Sequence, residues 1–352
     1  MVTGNILDNK RWLVYYSMMK TKIILAHCYP TADDPTAGLF IKDWMLEHFG
    51  TTDLMVMHYP FGGNMLYSKN PVKLLWYLYR VAKAVKSIDR QSIVYAHWWI
   101  PIGWLATRSG AQVEVVCHGS DVYWLQKHKL VARIFSKYVR RVHRWTLVSQ
   151  HLKSEFAKLY PFVPETLMTV EHMPVNSGVF KRSGVPKQKG TFVTCGALIL
   201  RKNVDLAIWY VKNENLRTGV GHVLYVIGEG KLKEELRNLA CNLRVEVVFT
   251  GNVPPERVTE IFNMCEKFLL FSDDEGYGQV IDEASLCGCQ TIVTAGDGKE
   301  EHADVVLNTP NRRQLNKILT GYQPWERLSD IEMGMDQEDS SAGGFQTKES
   351  QR

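Results

Sequence analysis

The chain has no apolar run of the roughly 18 residues that a membrane-spanning helix needs. Its longest candidate, 93–107, is interrupted by His97 and Pro101, which excludes an integral helical protein and predicts a soluble or peripheral one. It has no paired C-x-x-C. The seven cysteines, Cys28, Cys117, Cys195, Cys241, Cys265, Cys287 and Cys289, are odd in number and lie mostly in apolar segments. They read as reduced core residues of a cytoplasmic protein rather than as disulfides or a zinc site. No G-x-G-x-x-G follows the first apolar run, which argues against a dinucleotide-dependent dehydrogenase. No sign of charge dominates either: 42 Lys and Arg against 37 Asp and Glu leave a formal charge of +5. That excess does not demand nucleic acid and suits an anionic substrate or membrane surface. Residues 1–18 lack the clean apolar centre of a signal peptide and read as an extension before a start at Met19.

What is present is an alternation. Short apolar runs near 22–27, 53–58, 92–96, 113–117 and 145–148 are separated by helical patterns near 38–48, 71–88, 101–109, 127–142 and 150–160. A second series has strands near 191–195, 222–227, 245–249, 267–271 and 290–294, again with helices between them. With 352 residues and 45% hydrophobic content, the chain can fill two cores. The expected organisation is α/β, with two Rossmann-like domains facing each other across a cleft. The first spans 19–183 and the second 191–311, joined by a Gly/Pro/Lys-rich linker at 184–190. A closing segment over 312–336, anchored by Trp325, returns to the first domain, and 337–352 carries almost no apolar periodicity and reads as disordered.

The most informative stretch is Glu275-Gly276-Tyr277-Gly278-Gln279-Val280-Ile281-Asp282-Glu283. It falls after the apolar run 267–271, at the carboxyl end of a strand, where open α/β sheets bind ligands. A helix beginning near Tyr277 would turn free amides toward an anion, with Glu283 further along it to accept from two sugar hydroxyls. The same residues also fit an ordinary amphipathic helix with Glu275 as an acidic cap and Glu283 on a solvated face. Arg201 and Lys202 follow Gly196 and the first strand of the second series, at the same sheet edge. They could hold a diphosphate, or be a solvated pair. His118 ends a strand in His118-Gly119-Ser120-Asp121, and Gly38 closes a turn after the first strand. A lone histidine is weak evidence of a site by itself.

In order along the chain, these elements resemble the retaining glycosyltransferases of family 4 (group 1), which have the GT-B fold. The resemblance rests on Gly38-Leu39-Phe40, His97-Trp98, His118-Gly119-Ser120-Asp121 and Val148-Ser149. It continues through Pro174 to Val179, Gly196 with Lys202, Val226-Ile227-Gly228-Glu229-Gly230, Phe249 to Val253, and Glu275 to Glu283. It implies a metal-independent enzyme using a UDP- or GDP-sugar as substrate, with no cofactor. By the same resemblance Glu275 holds hydroxyls of the donor sugar and amides over Gly276, Tyr277, Gly278, Gln279 and Val280 cradle the diphosphate. Glu283 binds the ribose, Lys202 neutralises the leaving diphosphate, and His118 lies near the reacting sugar. Gly38 contributes an amide near the phosphates and the backbone at Val253 meets the base. The acceptor implied is a glycan or lipid-linked glycan of polysaccharide or glycoconjugate synthesis.

Two departures qualify the match. The family often has arginine after the glycine matching Gly196, where this chain has Ala197, and Arg201 is the expected substitute. The segment Gly296 to His302 is shorter than the usual loop. These departures keep open a catalytically inactive nucleotide-sugar binder, and the fold keeps open a sugar-nucleotide epimerase. Between 127 and 144 the chain carries seven cations and no acid, interleaved with apolar residues. This reads as a basic amphipathic helix, either a solvated domain face or a contact with an anionic membrane, which would place the protein at the inner face of the cell membrane.

Overall fold

The computed structural model describes residues 21–30, 38–50, 54–58 and 70–307. The 1–18 extension, the loop residues Pro35 to Ala37, the closing segment 312–336 with Trp325, and the tail 337–352 lie outside them.

Two six-stranded sheets form, and every strand pairing within them is parallel. The first runs β1 (Lys22–Ala26), α1 (Leu39–Phe49), β2 (Leu54–His58), α2 (Pro71–Val85), β3 (Ile93–His97), α3 (Trp104–Ala106) and β4 (Gln112–Cys117). It continues through α4 (Ser120–Lys127), α5 (Lys129–Val139), β5 (Arg144–Leu147), α6 (Gln150–Leu159) and β6 (Met168–Val170). The second comprises β7 (Gln188–Cys195), α7 (Val204–Thr218), β8 (Val223–Ile227), α8 (Lys233–Leu243), β9 (Glu246–Gly251) and α9 (Pro255–Met264). It ends with β10 (Cys265–Leu270), α10 (Val280–Leu286), β11 (Gln290–Thr294) and β12 (Val305–Leu307). The strand orders are β2-β1-β3-β4-β5-β6 and β12-β11-β10-β7-β8-β9. The second is the doubly wound order in which the winding direction reverses between β7 and β10.

Local chemistry sets the helix ends. Asn70 accepts from the Lys73 amide at 2.9 Å ahead of Pro71, and Ser149 accepts from Leu152 at 3.1 Å to start α6. Gly219, at φ 70°, closes α7 in a left-handed conformation. No disulfide forms among the described cysteines; Cys117, Cys265, Cys287 and Cys289 are buried and Cys241 is exposed. Among the described residues no helix is long and apolar enough to cross a membrane.

One expected helix is shortened and another is corrected. The pattern at 101–109 is helical over 101–106, a wide turn through Gly103 running into the short α3, with Ile100 extended (φ −115°, ψ 130°) just ahead of it. The basic stretch 127–144 is not one helix. His128 takes φ −118° and ψ 61°, and its Nδ1 lies 2.8 Å from the Trp124 carbonyl at the end of α4. The chain restarts as α5, and Arg144 already belongs to β5.

In the first core, Phe156 of α6 is fully buried, with its ring 4.5 Å from Trp145 and 5.3 Å from Tyr160. Phe156→Ala is expected to cost about 3–5 kcal/mol by emptying this stack. Urea unfolding measures it, and a loss below about 1 kcal/mol would mean that the stack does not support α6.

Candidate active site

The reversal point of the second sheet brings two loops together. Lys202 lies in the loop after β7, and Glu275 in the loop after β10. Lys202 Nζ donates to Glu275 Oε1, and the two side chains are only 16% and 12% exposed. Burial by itself would raise the Glu275 carboxyl, but the Lys202 ammonium, and then Arg201, hold it below the ordinary glutamate range. Arg201 is exposed, and its Nη1 reaches the Asp274 carbonyl at 3.5 Å. An arriving anion would compete for the Lys202 ammonium and free the carboxylate for hydroxyl groups.

Past Glu275 the expected helix start is corrected. α10 begins at Val280, not near Tyr277, and spans seven residues. Gly278 is left-handed at φ 79° and turns the chain, while Tyr277 is drawn inward. The Tyr277 ring lies 4.4 Å from His172 and 4.3 Å from His302, and its hydroxyl is 2.5 Å from Asp282 Oδ2. Gly278, Gln279 and Val280 precede the bond from the Ile281 amide to the Gly278 carbonyl at 2.8 Å. The Gln279 side chain donates to the Pro174 carbonyl at 2.8 Å. Glu283, on α10, makes no hydrogen bond with its side chain among the described residues. Burial, and then the carboxylates of Asp282 and of Asp43 from α1, push its carboxyl up to about 7.

The first sheet contributes the ends of β1, β3 and β4. His97 and His118 face each other, with Nδ1 to Nε2 at 3.0 Å. Burial, and then His97 and His27, hold His118 well below the ordinary histidine range, so it is neutral near pH 7. Buried Asp121 accepts from the Trp99 amide at 2.7 Å and the Gly119 amide at 3.2 Å, tying the turn after β3 to the turn after β4. Gly38, at φ 66°, precedes α1, and a Cβ there would lie 2.8 Å from the Cys28 carbonyl oxygen. The sheets meet at Gly276, whose added Cβ would stand 2.0 Å from the His118 carbonyl oxygen and 3.1 Å from Gly119 Cα. His118, Lys202, Glu275 and Gly276 therefore share one locality. Val253 lies in the turn between β9 and α9 and packs against the second sheet's core, beside Val280 and Ile281.

Residues 178–304 match the family model for glycosyl transferases group 1, and residues 46–177 match that for glycosyltransferase family 4. The chain belongs to the group 1, family 4 glycosyl transferases. It is 28% identical over 226 residues to a GDP-mannose-dependent alpha-(1-6)-phosphatidylinositol monomannoside mannosyltransferase of Mycolicibacterium smegmatis, covering 57% of this chain and 56% of that one. It is 24% identical over 265 residues to the putative teichuronic acid biosynthesis glycosyltransferase TuaC of Bacillus subtilis, covering 69% of this chain and 66% of that one. The match thus spans under two thirds of either relative's length. In fold it resembles Anabaena HepE, solved in complex with UDP and glucose, at a TM-score of 0.58 and 14% identity over 91% of this chain and 100% of that one. The two facing parallel sheets are the GT-B architecture.

In this family 4 chain the short 296–302 segment does work that its sequence did not signal. His302 bridges Asp282 Oδ1 at 2.7 Å and the Tyr277 carbonyl at 2.8 Å. Burial opposes its charge, but the Asp282 contact outweighs burial and raises His302 above the ordinary histidine range. Lys299 is 1% exposed and donates to the Ser272 carbonyl at 2.7 Å and to Asp297 at 3.2 Å. Glu301 reaches the other sheet and accepts from the His151 amide at 3.1 Å. Three more ties cross there: Tyr123 hydroxyl to the Glu275 carbonyl at 3.0 Å, Ser149 hydroxyl to the Gly276 carbonyl at 2.7 Å, and Lys127 to Asp274 at 2.6 Å. In the sequence Ser149 is marked by the Val148-Ser149 element of the family resemblance and by its place before a helical pattern; Tyr123, Lys299, Glu301 and His302 carry no signal of a cross-sheet contact.

Glu283 yields a pH prediction. Because its carboxyl moves from 4.5 to about 7 on folding, the folded state binds more protons than the unfolded state between those values. Its contribution therefore falls as pH rises from about 4.5 through 7 and is flat above, a loss on the order of 3 kcal/mol. Unfolding free energies measured across this range should decline less in Glu283→Gln; an identical decline would show that Glu283 is not the titrating group.

Proposed function

We propose that the chain transfers a sugar, with retention of anomeric configuration, from a UDP- or GDP-sugar to a glycan or lipid-linked acceptor. The observation that carries this reading is the mostly buried Lys202–Glu275 pair at the reversal point of the second sheet, with Arg201 beside it and His118 across the cleft. In this reading the second sheet takes the donor and the first the acceptor. As the bond from the anomeric carbon to the diphosphate breaks, negative charge grows on the phosphate oxygens and positive charge on the sugar ring. Lys202 and Arg201 stabilise the first, and Glu275 orients the sugar through its hydroxyls. Amides over 276–280 support the diphosphate, and Gly38 offers a further one. Glu283 accepts from the ribose, and the turn at Val253 faces the base. The acceptor oxygen attacks the face the diphosphate leaves, and a departing phosphate oxygen takes the acceptor's proton. Metal-independent transfer follows from protein cations filling the charge-neutralising role.

Retention is read directly from the anomeric configuration of the product by proton NMR. Lys202→Ala is expected to lower kcat/KM by about 10²–10³-fold and Arg201→Ala by about tenfold. Release of free sugar without transfer, or an inverted product, would overturn the transferase reading. Unchanged turnover in Arg201→Ala, with loss in Lys202→Ala, would remove Arg201 from it.

A peripheral membrane position is part of the same reading. α5 and the turn after it carry Lys129, Arg133, Lys137, Arg140 and Arg141, while Leu130 and Ile134 are 74% and 56% exposed. α2 also exposes Leu75, Trp76 and Tyr79, and neither helix contains an acid. Cations flanking exposed apolar side chains suit an anionic lipid surface. Flotation with anionic vesicles is expected for the wild type and lost in Arg140→Glu/Arg141→Glu; binding indifferent to lipid charge would contradict it.

A further inference from the structure

Among the described residues the His97 side chain makes one hydrogen bond, and it goes to another histidine. Its ring has no exposed surface, its Nδ1 lies 3.0 Å from His118 Nε2, and the two rings are inclined by only 19°. That near-coplanar approach suits a hydrogen bond between ring nitrogens, which needs one donor and one acceptor. The other His97 nitrogen, Nε2, is buried without a partner. A neutral imidazole carries a single N–H, so two arrangements are open. With the proton on Nε2, His97 would bury an unbonded donor; with the proton on Nδ1, only an acceptor lone pair is unmatched. Orphaned buried N–H groups are the rarer and costlier of the two.

We propose that His97 is a positioning residue whose Nδ1–H donates to His118 Nε2, so that the His118 proton resides on Nδ1 as a fixed donor to the ligand. His118 Nδ1 makes no hydrogen bond among the described residues, and the residue is only partly buried. The His118 carbonyl meanwhile packs against Gly276, next to Glu275. Resting on the transferase reading above, the Nδ1–H meets an oxygen of the transferred sugar while Glu275 accepts from its hydroxyls. The pair then presents one donor and one acceptor to the same ring. Both histidines are neutral near pH 7, His97 held at about 3 by burial and then by His27 and His48, so this sense does not switch in that range. The two neighbouring turns that fix the geometry are tied by Asp121.

The test is the tautomer itself, read from imidazole nitrogen shifts of histidine-labelled, ligand-free protein. Protonated Nδ1 and bare Nε2 on His118 are expected, and the reverse overturns the proposal whatever the enzyme transfers. Kinetics supply the second arm. His97→Phe should lower kcat/KM about tenfold, the equivalent of one neutral hydrogen bond, and let both His118 tautomers appear. His97→Gln, whose amide can donate to Nε2, should restore the single tautomer and most of the rate. A His97→Phe protein with an unchanged His118 tautomer would also overturn it. If the tautomer is as proposed but no sugar is transferred, the positioning stands and the transferase reading fails.

Discussion

The two sheets meet backbone to backbone at Gly276. Gly276 lies so close to His118 and Gly119 that a single added carbon would collide with backbone, and the neighbouring residues are placed by that approach. Once Gly276 is seated, the Glu275 and Gly276 carbonyls point into the first sheet, where Tyr123 and Ser149 donate to them. The Glu275 side chain turns back to Lys202. The Ser149 hydroxyl both caps α6 and donates to Gly276, so a helix start and a cross-sheet contact depend on one oxygen.

Electrostatics divide the two glutamates flanking the glycine turn. Glu275 is mostly buried but held ionised by adjacent cations, whereas Glu283 is partly buried beside other carboxylates and its carboxyl is pushed up to about 7. Burying an ion pair costs desolvation that the attraction only partly offsets. Such a pair is weak evidence for stability and better evidence for a site whose charges await a ligand. A diphosphate offers Lys202 a second partner of the same sign as Glu275. A nearby uncharged histidine avoids drawing the anion toward the wrong sheet.

Much of this was legible in the sequence because it is local. Apolar runs alternating with helical spacing predict the parallel strands that form, whereas nothing in the sequence marks Gly276 as the contact with His118. The misses are long-range. Nothing in the pattern from 127 to 144 shows that His128 closes α4 on the Trp124 carbonyl. Gly276 and Gly278 look like a helix-opening turn, but the Tyr277 ring is held between His172 and His302, far from it in sequence, and α10 starts at Val280. The 296–302 segment is short for the family, yet its charges run inward to Ser272 and Asp282 and outward to α6. The pairing of His97 with His118 required the register of β3 on β4.

The central claim is that Lys202 and Glu275 form a diphosphate-dependent donor site. Titration calorimetry of UDP, UMP, GDP and GMP with wild type and Lys202→Ala tests it most directly. The account predicts that the preferred diphosphate binds at least tenfold tighter than its monophosphate, and that this gap closes in Lys202→Ala while monophosphate affinity changes little. Equal affinity for mono- and diphosphates in the wild type, or a gap that survives loss of the lysine, would contradict it.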